Sequence, residues 1–151
     1  GWSSHELRNT LRDYFAPATQ AAVSEPVITV QSFGFKYGIP RSADFVFDVR
    51  CLPNPYWEPA LRDFTGRDTA IQDWLGQQAV VADLIQELCG FFDRWLQTVL
   101  HAERSYVTIS IGCTGGRHRS VFVSAKLQQH LSNSWPQVLI RHRELDAAAS
   151  A

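Results

Sequence analysis

Nine residues, Gly112–Ser120, combine a cysteine, two adjacent glycines and three basic side chains directly behind an apolar run. The run Tyr106–Ile111 predicts a buried strand, and the residues from 118 onward predict a helix. Glycines at such a junction let the backbone turn tightly, and the first turn of the helix adds partial positive charge. The stretch therefore predicts a phosphate-binding loop, here called the cradle, in which Arg119 donates hydrogen bonds to two phosphate oxygens and Lys36 adds a positive charge.

Two chemistries would use such a cradle. Cys113, Arg119 and Ser120 have the spacing Cys-x-x-Gly-x-x-Arg-Ser that is typical of cysteine phosphatases, where a thiolate attacks phosphorus. That reaction also needs an acid for the leaving group, for which Asp48 is the candidate. The other chemistry is recognition without turnover, in which the loop holds a phosphorylated metabolite or an RNA backbone. The spacing alone leaves both open.

Each residue of the cradle also has a structural interpretation. Gly115 and Gly116 fit a simple turn, and an isolated cysteine is more often a small buried side chain than a nucleophile. Asp48 and Arg50 lie on the same face of a predicted strand, where they fit an ion pair bracing the sheet. The aromatic pair at residues 56 and 57 fits loop packing, or stacking on a sugar or base. The functional interpretation rests on the clustering of these residues at one sheet edge.

The elements that must position these residues follow from hydrophobic periodicity. Four strands are predicted, at Val27–Phe33, Phe45–Arg50, Tyr106–Ile111 and Val138–Arg141. Helices are predicted from Ser3 to Pro17, as one or two short pieces within 60–76, over 78–100 and over 118–132. Strands separated by helical stretches favour an α/β fold with a mainly parallel sheet of about four strands, flanked by helices.

A parallel sheet would gather four segments at the carboxyl ends of its strands, where ligands bind in open α/β sheets. These segments are Phe35–Tyr37, Asp48–Trp57, Cys113–Ser120 and Arg141–Arg143. Three of the four carry positive charge, so we expect an anion site at this edge.

Length and charge limit the remaining possibilities. The 151 residues fit one domain, 1–151, and 45% of them are hydrophobic, which is enough for a core. A formal charge of −1 argues against a general polyanion binder. Three cysteines without regular spacing predict reduced thiols in a cytoplasmic protein, with neither a disulfide framework nor a metal site. No apolar segment reaches the length of a membrane helix, so we expect no membrane partner.

Five motifs in order carry a resemblance to a known family. They are SFGFKYGIP at 32–40, ADFVFDVR at 43–50, LPNPYW at 52–57, LRDFTG at 61–66 and GCTGGRHRSV at 112–121. Together they resemble the C-terminal domain of the RapZ RNase adapter family, from about Ser4 to Leu145.

The resemblance implies a phosphofructokinase-subdomain-like fold and a domain without catalysis of its own. It implies binding of small regulatory RNA, sensing of glucosamine-6-phosphate, presentation of RNA to an endoribonuclease, and assembly into homodimers or tetramers. Family members also carry an N-terminal P-loop domain that binds ATP or GTP. No Gly-x-x-x-x-Gly-Lys-Ser/Thr pattern occurs in this chain, so we expect that domain and its cofactor to be absent from it.

The resemblance also implies which residues bind. Those expected at the sugar phosphate are Lys36, Tyr37, Asp48, Arg50, Asn54, Tyr56, Cys113, Thr114, Gly115, Gly116, His118, Arg119 and Ser120. From their charge and clustering in the sequence, the residues expected at the RNA are Arg117, Arg119, Arg141 and Arg143. The phosphate would bind to the glycine loop and Arg119, and the ammonium group of the amino sugar would bind to Asp48.

Overall fold

The computed structural model describes residues 25–101 and 103–150 as a parallel sheet covered by helices. Its strands are β1 (Val27–Gly34), β2 (Phe45–Asp48), β3 (Tyr106–Cys113) and β4 (Val138–His142). They lie in the order β2-β3-β1-β4, and every neighbouring pair is parallel. The predicted α/β fold with a four-stranded sheet is confirmed. The helix expected at Ser3–Pro17 lies outside the described residues.

Four α-helices accompany the sheet in the described part of the chain. They are α1 (Thr69–Gly76), α2 (Ala79–Val99), α3 (Arg119–Leu131) and α4 (Arg143–Ser150). Helix α3 packs on β1, β3 and β4, and also contacts α2. No described helix combines the length and the apolar character that crossing a bilayer requires.

Three local features differ from the sequence expectations. Within 60–76, helix begins only at Thr69, because the Asp68 carboxylate accepts a hydrogen bond from the Thr65 amide and holds a turn before it. β2 ends at Asp48 instead of Arg50, because the Arg50 amide donates to the Asp48 carboxylate and leaves the sheet. The polar and alanine-rich end of the chain forms α4, which the sequence patterns did not indicate.

The two central strands contribute the middle of the hydrophobic core. Ile28 and Val30 of β1 and Ile109 and Ile111 of β3 are fully buried. These residues are two apart in each strand, so they lie on the same face of the sheet. Because these strands are held in register by the core, β1 and β3 end side by side, with Gly34 opposite Cys113. The loops that follow them therefore meet at that point.

Candidate functional site

A cavity of about 470 Å³ opens beyond the carboxyl ends of β1 and β3. Its size lies in the range of small-molecule sites, roughly 300–1,000 Å³. Its lining residues are Lys36, Tyr37, Asn54, Tyr56, Trp57, Cys113, Thr114, Gly115, Arg117, His118 and Arg119. Nine of the thirteen residues expected at a sugar phosphate are in that lining, while Asp48, Arg50, Gly116 and Ser120 are not.

The glycine loop lies directly against the end of β1. A Cβ atom on Gly34 would be 2.5 Å from the carbonyl carbon of Gly115, and one on Gly116 would be 2.6 Å from the Gly34 nitrogen. Gly116 also has φ +72°, a backbone conformation that side chains disfavour. The Gly34 amide donates to the Glu144 carboxylate over 2.6 Å, so α4 is tied to the same point. Only glycine allows these backbones to approach so closely.

Arg119 lies at the base of the cavity and is only 4% exposed. Its Nη1 donates to the carbonyl oxygens of Arg50 and Leu52, over 2.8 and 3.1 Å. Its Nη2 donates a long hydrogen bond of 3.4 Å to the Thr114 hydroxyl. Its Nε is buried and has no hydrogen-bond partner among the described residues. Nε and Nη2 form the edge of the guanidinium that can donate two parallel hydrogen bonds to one anion. A phosphate bound at this edge would give Nε a partner.

Cys113 lies at the same end of the cavity, with its side chain almost entirely buried. Its Sγ is 3.1 Å from the hydroxyl of Ser120, which is completely buried in the first turn of α3. The structure therefore places the Ser120 hydroxyl against the thiol and not in the cavity lining. All three cysteines, at positions 51, 89 and 113, are free.

Asp48 and Arg50 bind each other beside the cavity. Arg50 donates from Nε and Nη2 to both carboxylate oxygens of Asp48, at 2.7–3.1 Å. The hydrogen bonds from Arg50 hold the pKa of Asp48 below its usual value. The Arg50 guanidinium also lies 4.1 Å from the ring centre of Phe35. The ion pair therefore packs against Phe35, and both Asp48 oxygens are already bound by Arg50.

Phe35 begins the short turn that forms one lip of the cavity, Phe35–Tyr37. The Lys36 amide donates to the Thr114 carbonyl over 3.1 Å, which joins this lip to the glycine loop. The second lip is the turn Pro55–Trp57, where the Asn54 side chain accepts a hydrogen bond from the Tyr56 amide. Both lips are therefore held in place by backbone hydrogen bonds.

His118 precedes the first residue of α3 and is 8% exposed. Its Nε2 lies within hydrogen-bond distance of the Phe64 carbonyl. Burial lowers the pKa of His118, so the ring is neutral at pH 7 and its Nε2 donates to that carbonyl. This bond ties the start of α3 to the segment before α1.

The four arginines expected at RNA occupy different environments. Arg117 is exposed and lines the cavity, whereas Arg119 is buried beneath it. Arg143 donates to the carbonyl of Gly38 and to Glu144. Arg141 is exposed on the edge strand β4 and is not part of the cavity lining.

Sequence reasoning missed two residues at this end of the sheet. Glu144 binds the Gly34 amide, but no sequence signal distinguishes it from other acidic residues near a helix start. Trp57 is not among the residues expected at the sugar phosphate, and it lies in the cavity lining with 73% of its surface exposed. Its adjacency to Tyr56 in a proline-bounded loop was the available signal.

Comparison with known proteins gives a consistent result. The family model described as the RapZ C-terminal domain matches residues 26–146. A "Nucleotide-binding protein" of Laribacter hongkongensis is 49% identical over 144 residues, covering 95% of this chain and 50% of that protein. Proteins with the same name from Nitrosococcus oceani and Saccharophagus degradans are 45% and 42% identical, over 93% and 99% of the chain. The chain spans about half the length of these curated relatives. The chain belongs to the RapZ C-terminal domain family.

Proposed function

We propose that this domain binds a phosphorylated amino sugar, glucosamine-6-phosphate, in the cavity and small regulatory RNA at its rim. As an adapter it would present that RNA to an endoribonuclease, in the cytoplasm and as a homodimer or tetramer. The observation that carries the proposal is the buried Nε of Arg119, which lacks a partner in the described structure and lies at the base of a cavity. A bound phosphate would satisfy it.

The surroundings of Arg119 suit a phosphate ester. The cavity lining adds the cations Lys36 and Arg117, the Thr114 hydroxyl and the backbone of Gly115. Among the described residues, the lining contains no aspartate or glutamate that would repel the anion. With Asp48 bound to Arg50, the hydroxyl groups and amine of the sugar would instead be recognised by the polar groups of the two lips.

RNA binding is supported by the exposed arginines near the same edge. Arg117 and Arg141 are available for phosphate-backbone contacts, and such contacts weaken as salt rises because counterions are released. The relatives named nucleotide-binding proteins are about twice as long as this chain. We therefore assign ATP or GTP binding to the half of those proteins that this chain does not match, and no cofactor or enzymatic activity to this domain.

Thermal unfolding tests the metabolite proposal. A ligand that binds only the native state at ten times its Kd stabilises that state by about 1.4 kcal/mol, roughly 3–6 °C for a domain of this size. Glucosamine-6-phosphate should raise the melting temperature by this amount, and glucosamine should not. Equal shifts for the two compounds would remove the phosphate from the proposal.

RNA binding is tested separately with a hairpin RNA at two salt concentrations. We expect affinity to fall as salt rises, and to fall uniformly across sequences when Arg117 and Arg141 are replaced by alanine. Arg104, which pairs with Asp44 at the amino end of β3, is the matched control. An affinity that is indifferent to Arg117→Ala and Arg141→Ala would contradict the proposed RNA surface.

A cysteine phosphatase is the second candidate, and one contact favours it. The thiol of Cys113 is held by Ser120 at the cavity base, and Arg119 follows at the spacing such enzymes use. The acid that this reaction needs is not in place: Asp48 lies outside the cavity lining, and its pKa is lowered by Arg50, so it is ionised at neutral pH. We therefore prefer binding without turnover.

A further inference from the structure

Trp57 presents most of its ring to solvent at the mouth of the cavity. It lines the cavity and is 73% exposed, the largest exposed fraction among the large hydrophobic residues of the described chain. An isolated exposed aromatic residue needs no explanation, but this one borders an anion cradle. Loop packing, one of the two interpretations that the sequence allowed, does not account for its position.

The segment that carries Trp57 is rigidly held. The Trp57 amide donates a hydrogen bond to the Asn54 carbonyl over 3.2 Å, and Pro55 in the same turn is buried. The ring of Tyr56 packs edge to face against Trp57, with ring centres 5.6 Å apart. Arg62 fixes Tyr56 in turn, with its guanidinium 4.7 Å from the ring centre and its Nε donating to the Tyr56 carbonyl. Trp57 is therefore a supported aromatic surface.

The cavity thus has two chemically different parts. One is cationic and polar, formed by Arg119, Lys36 and the glycine loop, and the other is aromatic, formed by the Tyr56–Trp57 pair. A phosphorylated amino sugar has a group for the first part but no planar ring for the second. A ligand that combines a phosphate with an aromatic ring would fill both.

We propose that the cavity also binds one unpaired nucleotide of RNA, with its phosphate at the glycine loop and its base stacked on Trp57. This inference rests on the proposed function, because it uses the same phosphate cradle. Stacking on an aromatic side chain tolerates any base, since every base has a π face. The site would therefore select single-stranded RNA over helical RNA without reading sequence.

The test compares AMP with ribose-5-phosphate, which share a phosphate and a ribose and differ in the base. Isothermal titration of the 151-residue chain should show AMP binding at least five-fold more tightly than ribose-5-phosphate. Trp57→Leu should abolish this ratio by weakening the binding of AMP, and Trp57→Phe should retain part of it. Circular dichroism and melting temperature would verify that the variants are folded.

Trp95→Leu is the matched control, because Trp95 is also exposed, at 43%, but lies on α2 outside the cavity lining. It should leave the AMP preference intact. Equal affinities for AMP and ribose-5-phosphate in the unmodified chain would overturn the stacking inference while supporting the phosphate cradle. Failure of both ligands to bind would overturn the cradle itself. A preference for AMP that survives Trp57→Leu would show that the base binds elsewhere.

Discussion

Replacing Arg119 by methionine tests whether this residue has two roles, one in the fold and one in the cradle. Methionine keeps most of the side-chain volume but removes every donor. The carbonyls of Arg50 and Leu52 would lose the guanidinium that now bridges them, and the Thr114 hydroxyl would lose its long contact. The unpartnered Nε would disappear at the same time.

The expected cost follows from these groups. Two hydrogen bonds from a charged donor contribute about 1.5–3 kcal/mol each, or about 3–6 kcal/mol together. Removing the buried Nε, which lacks a partner in the described structure, raises the free energy of unfolding by about 1–3 kcal/mol and so offsets part of this loss. With the middle value of each range, about 4.5 and about 2 kcal/mol, we expect Arg119→Met to lower the free energy of unfolding by about 2.5 kcal/mol, which corresponds to a melting temperature lower by about 5–10 °C in a domain of this size.

Urea unfolding of both proteins, with and without phosphate, measures the two roles separately. Arg67→Met is the control, because Arg67 forms an exposed ion pair with Asp146 that contributes about 1 kcal/mol at most. Phosphate should stabilise the unmodified chain and the control, but not Arg119→Met. An Arg119→Met protein as stable as the unmodified chain would refute the bridging role, and one stabilised by phosphate to the same extent would refute the cradle.

Three further predictions concern other parts of the site. Gly34→Ala should lower the free energy of unfolding by about 1–3 kcal/mol and weaken phosphate binding, because the added Cβ would lie 2.5 Å from the Gly115 carbonyl carbon. A urea midpoint equal to that of the unmodified chain would contradict the close approach. Cys113→Ser should leave the background rate of aryl-phosphate hydrolysis unchanged, whereas turnover that disappears in this variant would establish the phosphatase. Burial lowers the pKa of His118 and His142, so the unfolded chain binds more protons just below pH 6.5 and stability should fall as pH drops through that range. Urea midpoints at pH 7.5 and 5.5 measure this loss, which His142→Gln should reduce.

The sheet could be predicted because its signals are local. The alternating apolar residues Val107, Ile109 and Ile111 predict a strand with one buried face, and the helices between β2 and β3 and between β3 and β4 favour parallel connections. Helix α4 could not be predicted in the same way, since its apolar side depends on one buried residue, Leu145. Its position is set by Glu144, whose contact with the Gly34 amide joins residues 110 positions apart.

The candidate site was predictable to the extent that it depends on where strands end. The glycine loop and the lip carrying Lys36 meet because β1 and β3 are parallel neighbours in register. The partners of each side chain were not predictable. The sequence predicts Asp48 and Arg50 on one strand face, which fits a site for an amino sugar as well as an internal ion pair, and only the observed hydrogen bonds distinguish these.

Arg50 connects the parts of the cavity although it does not line it. Its guanidinium lies against the ring of Phe35, and a Cβ on Gly112 would be only 2.6 Å from that same ring, so Phe35 is confined between them. The Arg50 carbonyl accepts a hydrogen bond from Arg119. One residue thus positions both the lip that carries Lys36 and the guanidinium at the base. A change at Arg50 that spares the backbone should therefore alter ligand affinity through the lip and through the Asp48 carboxylate that it leaves unpaired, while the carbonyl contact with Arg119 remains.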